Sequence, residues 1–183
     1  GHGPTNVTMG LLLTASYVLH VASALFWIGA VWFAAYAVFP PARAGEVDTG
    51  LFESTLDRLL WVTRWTGVAL PVTGLYQLWV LYPLDRLFGT AQGVLVLVML
   101  GLWTVMNGLV ELGVYRARTV DADLGFGTYF AEGVAADGGL PAGTVVAGAR
   151  AARPYVLSAS LLGVLLAVDA ALLAGGVPAG LLP

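Results

Sequence analysis

Four stretches of this chain are long and apolar enough to cross a lipid bilayer as helices, and no other feature limits the fold as tightly. The hydrocarbon core of a bilayer takes about 20 predominantly apolar residues of helix. The first stretch runs from about 9 to 39 and meets Pro40-Pro41. The second runs from about 59 to 82, before Pro83, with an amphipathic lead-in from Leu56 to Leu60. The third runs from about 93 to 115 and stops at Arg116 and Arg118. The fourth runs from about 154 to 174 and stops at Gly175-Gly176. The first stretch exceeds a single crossing, so tilt or protrusion is expected. It is also too long for a signal h-region and has no basic residues before it. Strands of a barrel would alternate in polarity, whereas Val94 to Leu100 is apolar on every side. The expected fold is therefore all-α: an integral membrane four-helix bundle, one membrane domain over 1–183, with a polar link over 116–153.

Composition supports a lipid environment and removes several function classes. Hydrophobic residues make up 58% of the chain and charged residues 10%, with a mean hydropathy of +0.84. A water-facing domain carries about 25% charged residues. The basic residues are all arginine, and the net charge is -3, which leaves no basic footprint for nucleic acid. The absence of cysteine removes disulfides, Cys-zinc sites and iron–sulfur clusters. No phosphate-binding loop of the Walker type is present, which argues against self-contained ATP-driven pumping.

Arginine placement predicts the orientation. Arg43, Arg58 and Arg64 follow the first stretch or open the second, and Arg116, Arg118, Arg150 and Arg153 lie around the long link. Only Arg86 falls on the other side. Both longer links are thus expected in the cytoplasm and both termini outside, in a multi-pass plasma-membrane protein. The long link, with its glycines from Gly125 to Gly143 and acids Asp121, Asp123, Glu132 and Asp137, is expected to hold short, partly mobile helices.

Polar groups at membrane depth are the candidate functional residues, because lipid makes them expensive. His20 lies about 16 Å below the outer end of the first span. Asp169 and Met99 fall in the same outer half, and Met106 lies one heptad below Met99 with Asn107 beside it. Imidazole and thioether suit a soft ion such as Cu(I), and a carboxylate such as Asp169 suits the second ring nitrogen. Arg64 and Glu111 lie at matching depth near the inner boundary and are expected to pair. Ala159, Gly163, Ala167, Ala171 and Gly175 recur at every fourth position, which predicts a helix-packing seam. Pro71 predicts a kink over Gly67–Pro71. The aromatic residues Tyr76, Trp79, Tyr82, Trp61 and Trp65 mark the interfaces, while Trp27 and Trp103 are placed inside the bundle. His2 carries no assigned role.

The segment Leu19-His20-Val21-Ala22-Ser23-Ala24-Leu25-Phe26-Trp27-Ile28-Gly29-Ala30, followed by Thr73-Gly74 in the second span, resembles the copper-resistance protein D (CopD) family. The resemblance implies a multi-helix inner-membrane protein that handles or takes up copper, with His20 as a ligand. The same His-then-Trp span is similar to HemJ, a membrane protoporphyrinogen oxidase with haem b; that family pairs the His with a Lys, and this chain has none. Haem would then require His/Met ligation through Met99 or Met106, or a dimer. The leading expectation is binding or transport of a small solute such as copper ion, without catalysis. The alternatives are a haem b redox protein and an accessory subunit of a larger membrane complex. The lipid bilayer is the expected partner, and four helices enclose so little space that transport implies a homo-oligomer or larger assembly.

Overall fold

The computed structural model describes residues 4–120, 125–132 and 143–176. His2 and much of the glycine-rich link, including Asp121, Asp123, Gly133, Asp137, Gly138 and Gly139, lie outside the described residues. The described chain is helical. α1 is Pro4–Phe33, a π turn covers Ala34–Val38, and α2 is Phe39–Ala44. α3 is Thr49–Leu81, α4 is Leu84–Gly89, and α5 is Ala91–Arg118. α6 is Phe126–Glu132 and α7 is Val145–Gly175.

Three helical segments among the described residues are long and apolar enough to cross a membrane: Thr8–Ala44, Ala91–Arg118 and Val145–Gly175. This makes the chain a multi-pass membrane protein by length and composition. α3 is equally long at 33 residues. Its Arg64, Gln77, Pro71, threonines and tryptophans dilute its hydropathy, and it is not among the three. The outward surface of the helices is apolar: Leu11, Leu25, Phe26 and Trp79 are 67%, 69%, 70% and 77% exposed. A hydrocarbon solvent removes the cost of that exposure.

Prolines place the element ends differently from the sequence reading. The first helix does not stop at Pro40-Pro41 but continues to Ala44, where Gly45 takes a left-handed conformation (φ 80°). A proline ring clashes with the carbonyl four residues back in a regular α-helix. The π turn just before absorbs that conflict, with the Phe39 N–H reaching back five residues to the Ala34 carbonyl. Likewise, Pro154 does not open the fourth span; it sits inside α7, which begins about two and a half turns earlier at Val145. The lead-in before Leu59 is part of α3 itself, whose N-terminus is capped by Asp48 accepting the Leu51 N–H at 2.9 Å. α3 stays helical through Pro71.

The helices alternate in direction. Ser16 and His20 of α1 meet Gln77 and Thr73 of α3, so α1 and α3 are antiparallel. Arg64 of α3 meets Glu111 of α5. Gly113 lies against Val156, and Met106 against Gly163, so α5 and α7 are antiparallel too. One continuous apolar core joins Phe39, Phe52, Leu56, Leu60, Val110, Val114, Val145, Ala152 and Val156. It occupies the end of the bundle where Arg43, Arg58, Arg64, Arg116, Arg118, Arg150 and Arg153 gather. At the opposite end, the α1–α3 contact is made largely by polar side chains.

The long helices α5 and α7 approach each other closely. A Cβ on Gly148 would lie 2.7 Å from the Ala117 carbonyl oxygen. The buried face of α7 is Val145, Gly148, Ala149, Ala152, Val156, Ala159, Ser160, Gly163 and Asp169. This corrects the four-residue seam: Ala159 and Gly163 are buried, but Ala167 and Ala171 are exposed. A helix turns about 100° per residue, so a four-residue repeat drifts about 40° per step. The contact face follows alternating steps of three and four instead. Gly148→Ala is therefore expected to lower the stability of the detergent-solubilised protein by about 1–3 kcal/mol through overpacking. Gly101→Ala, where nothing lies within 4 Å, should leave it equal or raise it by up to about 1 kcal/mol. Thermal unfolding of both variants checks this.

Candidate functional site

Polar side chains of α1 and α3 form a ladder in the half of the bundle away from the arginine end. Ser16 and His20 are one turn apart on α1, and Thr73 and Gln77 are one turn apart on α3, so each pair shares a helix face. Gln77 Nε2 donates to Ser16 Oγ at 3.1 Å. Ser16 Oγ donates to the Thr73 carbonyl at 3.3 Å. His20 Nδ1 lies 2.8 Å from Thr73 Oγ1. Thr73 also sits 2.7 Å from the Ala69 carbonyl, to which its hydroxyl donates. A hydroxyl has a single proton, so Thr73 Oγ1 accepts and His20 Nδ1 carries the hydrogen. In the neutral ring that leaves Nε2 with a free lone pair, the tautomer that suits a metal ligand.

Gly74 makes the approach of the ring possible. A Cβ there would stand 3.3 Å from His20 Cε1, tighter than ordinary contact. The Thr73-Gly74 pair thus has two roles toward one imidazole: Thr73 orients it and Gly74 gives it room. His20 itself is half-buried.

The other expected ligands are not gathered around His20. Among the described residues no group of three or more His, Cys, Asp or Glu side chains could hold a metal ion. Met106 is 1% exposed, and its methyl packs against Gly163; it fills core space. Met99 is half-buried. Asp169 is buried, and neither carboxylate oxygen has a hydrogen-bond partner. The expected Asp169–His20 contact is therefore absent, because Thr73 takes the ring nitrogen. The indole Nε1 of Trp103 is also buried without a partner. The Met106–Gly163 register, carried outward, puts Trp103 and Asp169 within about a turn of one level. Asn107 serves Trp27 instead, accepting its indole N–H at 3.0 Å.

A second polar cluster lies toward the arginine end. Arg64 makes a two-bond pair with Glu111, Nε to Oε1 at 2.7 Å and Nη2 to Oε2 at 3.0 Å. Arg118 pairs with Asp57. The short helix α6 closes over this cluster. Its Phe130 ring lies 5.4 Å from the Arg64 guanidinium carbon, and Phe126 and Tyr129 pack on Tyr115 at 5.2 and 5.3 Å. The Tyr129 hydroxyl is buried without a partner. Sequence reading missed α6 as a lid; the aromatic spacing Phe126, Tyr129, Phe130 in a glycine-rich link was the available signal.

Burial, and then the charge of Glu111, push the Tyr129 hydroxyl up to about 12. No protein family, curated protein or solved structure matches the chain.

Two outcomes follow from the arginine-end cluster. Arg64→Gln and Glu111→Gln should each cost about 1–3 kcal/mol, and the double variant less than their sum, as a double-mutant cycle of thermal stability would show. For Tyr129, an unfolded phenol ionises near 10 and the folded one near 12. Between those values the unfolded chain loses its proton first, so stability falls as pH rises. Tyr129→Phe should flatten that part of the stability curve relative to the parent chain, and an unchanged slope would contradict the assignment.

Proposed function

We propose that the chain is a four-span membrane protein of CopD-like type that binds or moves a small solute, a copper ion being the solute that best fits its donor set. In this reading α3 is the fourth crossing, both termini lie outside the cell, the arginine end is cytoplasmic, and the membrane is the plasma membrane. The arginine bias supports the orientation. The observation that carries the functional reading is the 2.8 Å contact between His20 Nδ1 and Thr73 Oγ1, from which the tautomer follows. The His20 Nδ1–H is anchored on Thr73, and its Nε2 lone pair is left for a ligand, at a depth where an unused imidazole is costly.

The donor set fits a passing ion rather than a resident metal centre. One imidazole outside any group of three or more ionisable side chains, among the described residues, holds a soft cation weakly and releases it, as conduction requires. The ladder of Ser16, Thr73 and Gln77 supplies polar groups along the same face. Four helices leave little aqueous space, so movement of an ion requires a homo-oligomer or a place in a larger complex. The haem b alternative keeps the same anchored His20, but its second ligand has little support: Met106 is committed to packing.

Titration with Cu(I) tests the reading. Against a His2→Ala background, which removes the terminal imidazole, the chain is expected to bind one Cu(I), and His20→Ala to bind none while keeping its helicity. Equal stoichiometry in both would overturn the copper reading, and a Soret band in the purified protein would replace it with the haem one.

A further inference from the structure

A groove of about 380 Å³ opens on the flank of the bundle between α1, the π turn and the first half of α3. Its walls are apolar: Ala30, Phe33, Leu59 and Val62. Its rim is polar, with Ser54 and Arg58. Phe33 is 63% exposed, so the groove is open on the side that faces the surroundings. Arg58 is exposed and has no ion-pair partner among the described residues, unlike Arg64 and Arg118. Asp57 beside it is taken by Arg118.

Depth decides what can fill such a groove. Arg58 lies six residues before Arg64 on α3, about 9 Å nearer the arginine end. Trp61, an interfacial residue type, projects outward beside it. The groove therefore has its cation at the membrane boundary and its apolar walls running inward from that level. A methylene group fills about as much space as a water molecule, roughly 30 Å³, so the groove, rim included, has room for about a dozen such groups, enough for part of one acyl chain beneath a headgroup.

We infer that this groove is a binding site for one acidic phospholipid of the cytoplasmic leaflet, its phosphate on Arg58 and one acyl chain along Ala30, Phe33, Leu59 and Val62. The inference rests on the proposed membrane orientation and is independent of His20 and of copper. An apolar wall alone would accept any lipid; the unpaired guanidinium at its mouth selects the acidic headgroup. A second copy of the chain would have to offer an acid at this point to do the same.

Native mass spectrometry of the detergent-solubilised protein with phosphatidylglycerol or phosphatidylcholine tests the site. The parent chain should retain one phosphatidylglycerol in preference to phosphatidylcholine. Arg58→Gln should weaken that preference about fivefold, the effect of one arginine near an anionic headgroup. Arg116→Gln removes an exposed arginine from the same end of the bundle but outside the groove, and should change it little. Ala30→Phe keeps the charge and fills the groove, and should lose retention of both lipids. Equal loss from Arg58→Gln and Arg116→Gln, equal retention of both lipids by the parent, or a dimer that forms without lipid and is broken by Ala30→Phe would each overturn the proposal. Copper titration of Arg58→Gln keeps the two readings apart, since its stoichiometry should match the parent's.

Discussion

In hydrocarbon, a polar side chain has no water to turn to, and the partners it finds within the protein decide which helices sit together. This constraint acts most strongly on α3. From Leu59 to Leu81 it carries Arg64, Thr73 and Gln77 among mostly apolar and aromatic residues. Each of the three is met: Arg64 by Glu111 of α5, Thr73 by His20 and Gln77 by Ser16 of α1. Trp61, Trp65 and Trp79 project outward, 61%, 64% and 77% exposed. The inward side of α3 thus combines these polar groups with the buried Phe52, Leu56, Leu59, Leu60 and Leu70. The mean hydropathy of α3 counts these polar atoms although neighbouring helices satisfy them.

The two ends of the bundle are built on different principles. At the arginine end, large side chains interlock: Phe39 meets Phe52 edge-on at 5.7 Å, and Leu56, Leu60, Val110 and Val114 are almost wholly buried. α5 and α7 approach there until a single methyl group would clash. At the other end, α1 and α3 are joined by a hydrogen-bonded ladder; buried polar atoms without a partner occur at both ends, Asp169 and Trp103 here and Arg43 and Tyr129 at the arginine end. Dense packing gives rigidity at the arginine end, and the proposed function assigns solute binding to the polar layer at the other. The location of His20 in that layer is what connects the fold to the proposed function.

Much of this was legible from residue order alone. Apolar length set the helices, because bilayer thickness fixes what a span needs. Equal depth from the inner boundary singled out Arg64 and Glu111, which the structure holds together. Depth was also enough to put His20, Asp169 and Met99 in one half of the bundle, but not to say which of them touch. Depth is a coordinate along the helix axis, whereas contact also depends on rotation about it. That is why Thr73, placed one turn above Ala69 and facing α1, reached His20 and Asp169 did not. The same lack of rotational information turned a four-residue repeat into an apparent seam, although its outer members Ala167 and Ala171 had already drifted off the contact face. Proline misled at Pro40-Pro41, read as a stop, and at Pro154, read as a start; a π turn and a helical continuation accommodate these rings.

The central claim is that α3 is a full crossing, held between α1 and α5 by polar pairs. The chain contains no cysteine, so single cysteines report their side of the membrane without background. In intact cells, a membrane-impermeant maleimide should label Arg86→Cys, in the link after α3, and leave Glu46→Cys, in the link before it, unlabelled until the cells are opened. Labelling of both positions from the same side would show that α3 does not cross, and the four-helix account would fall with it.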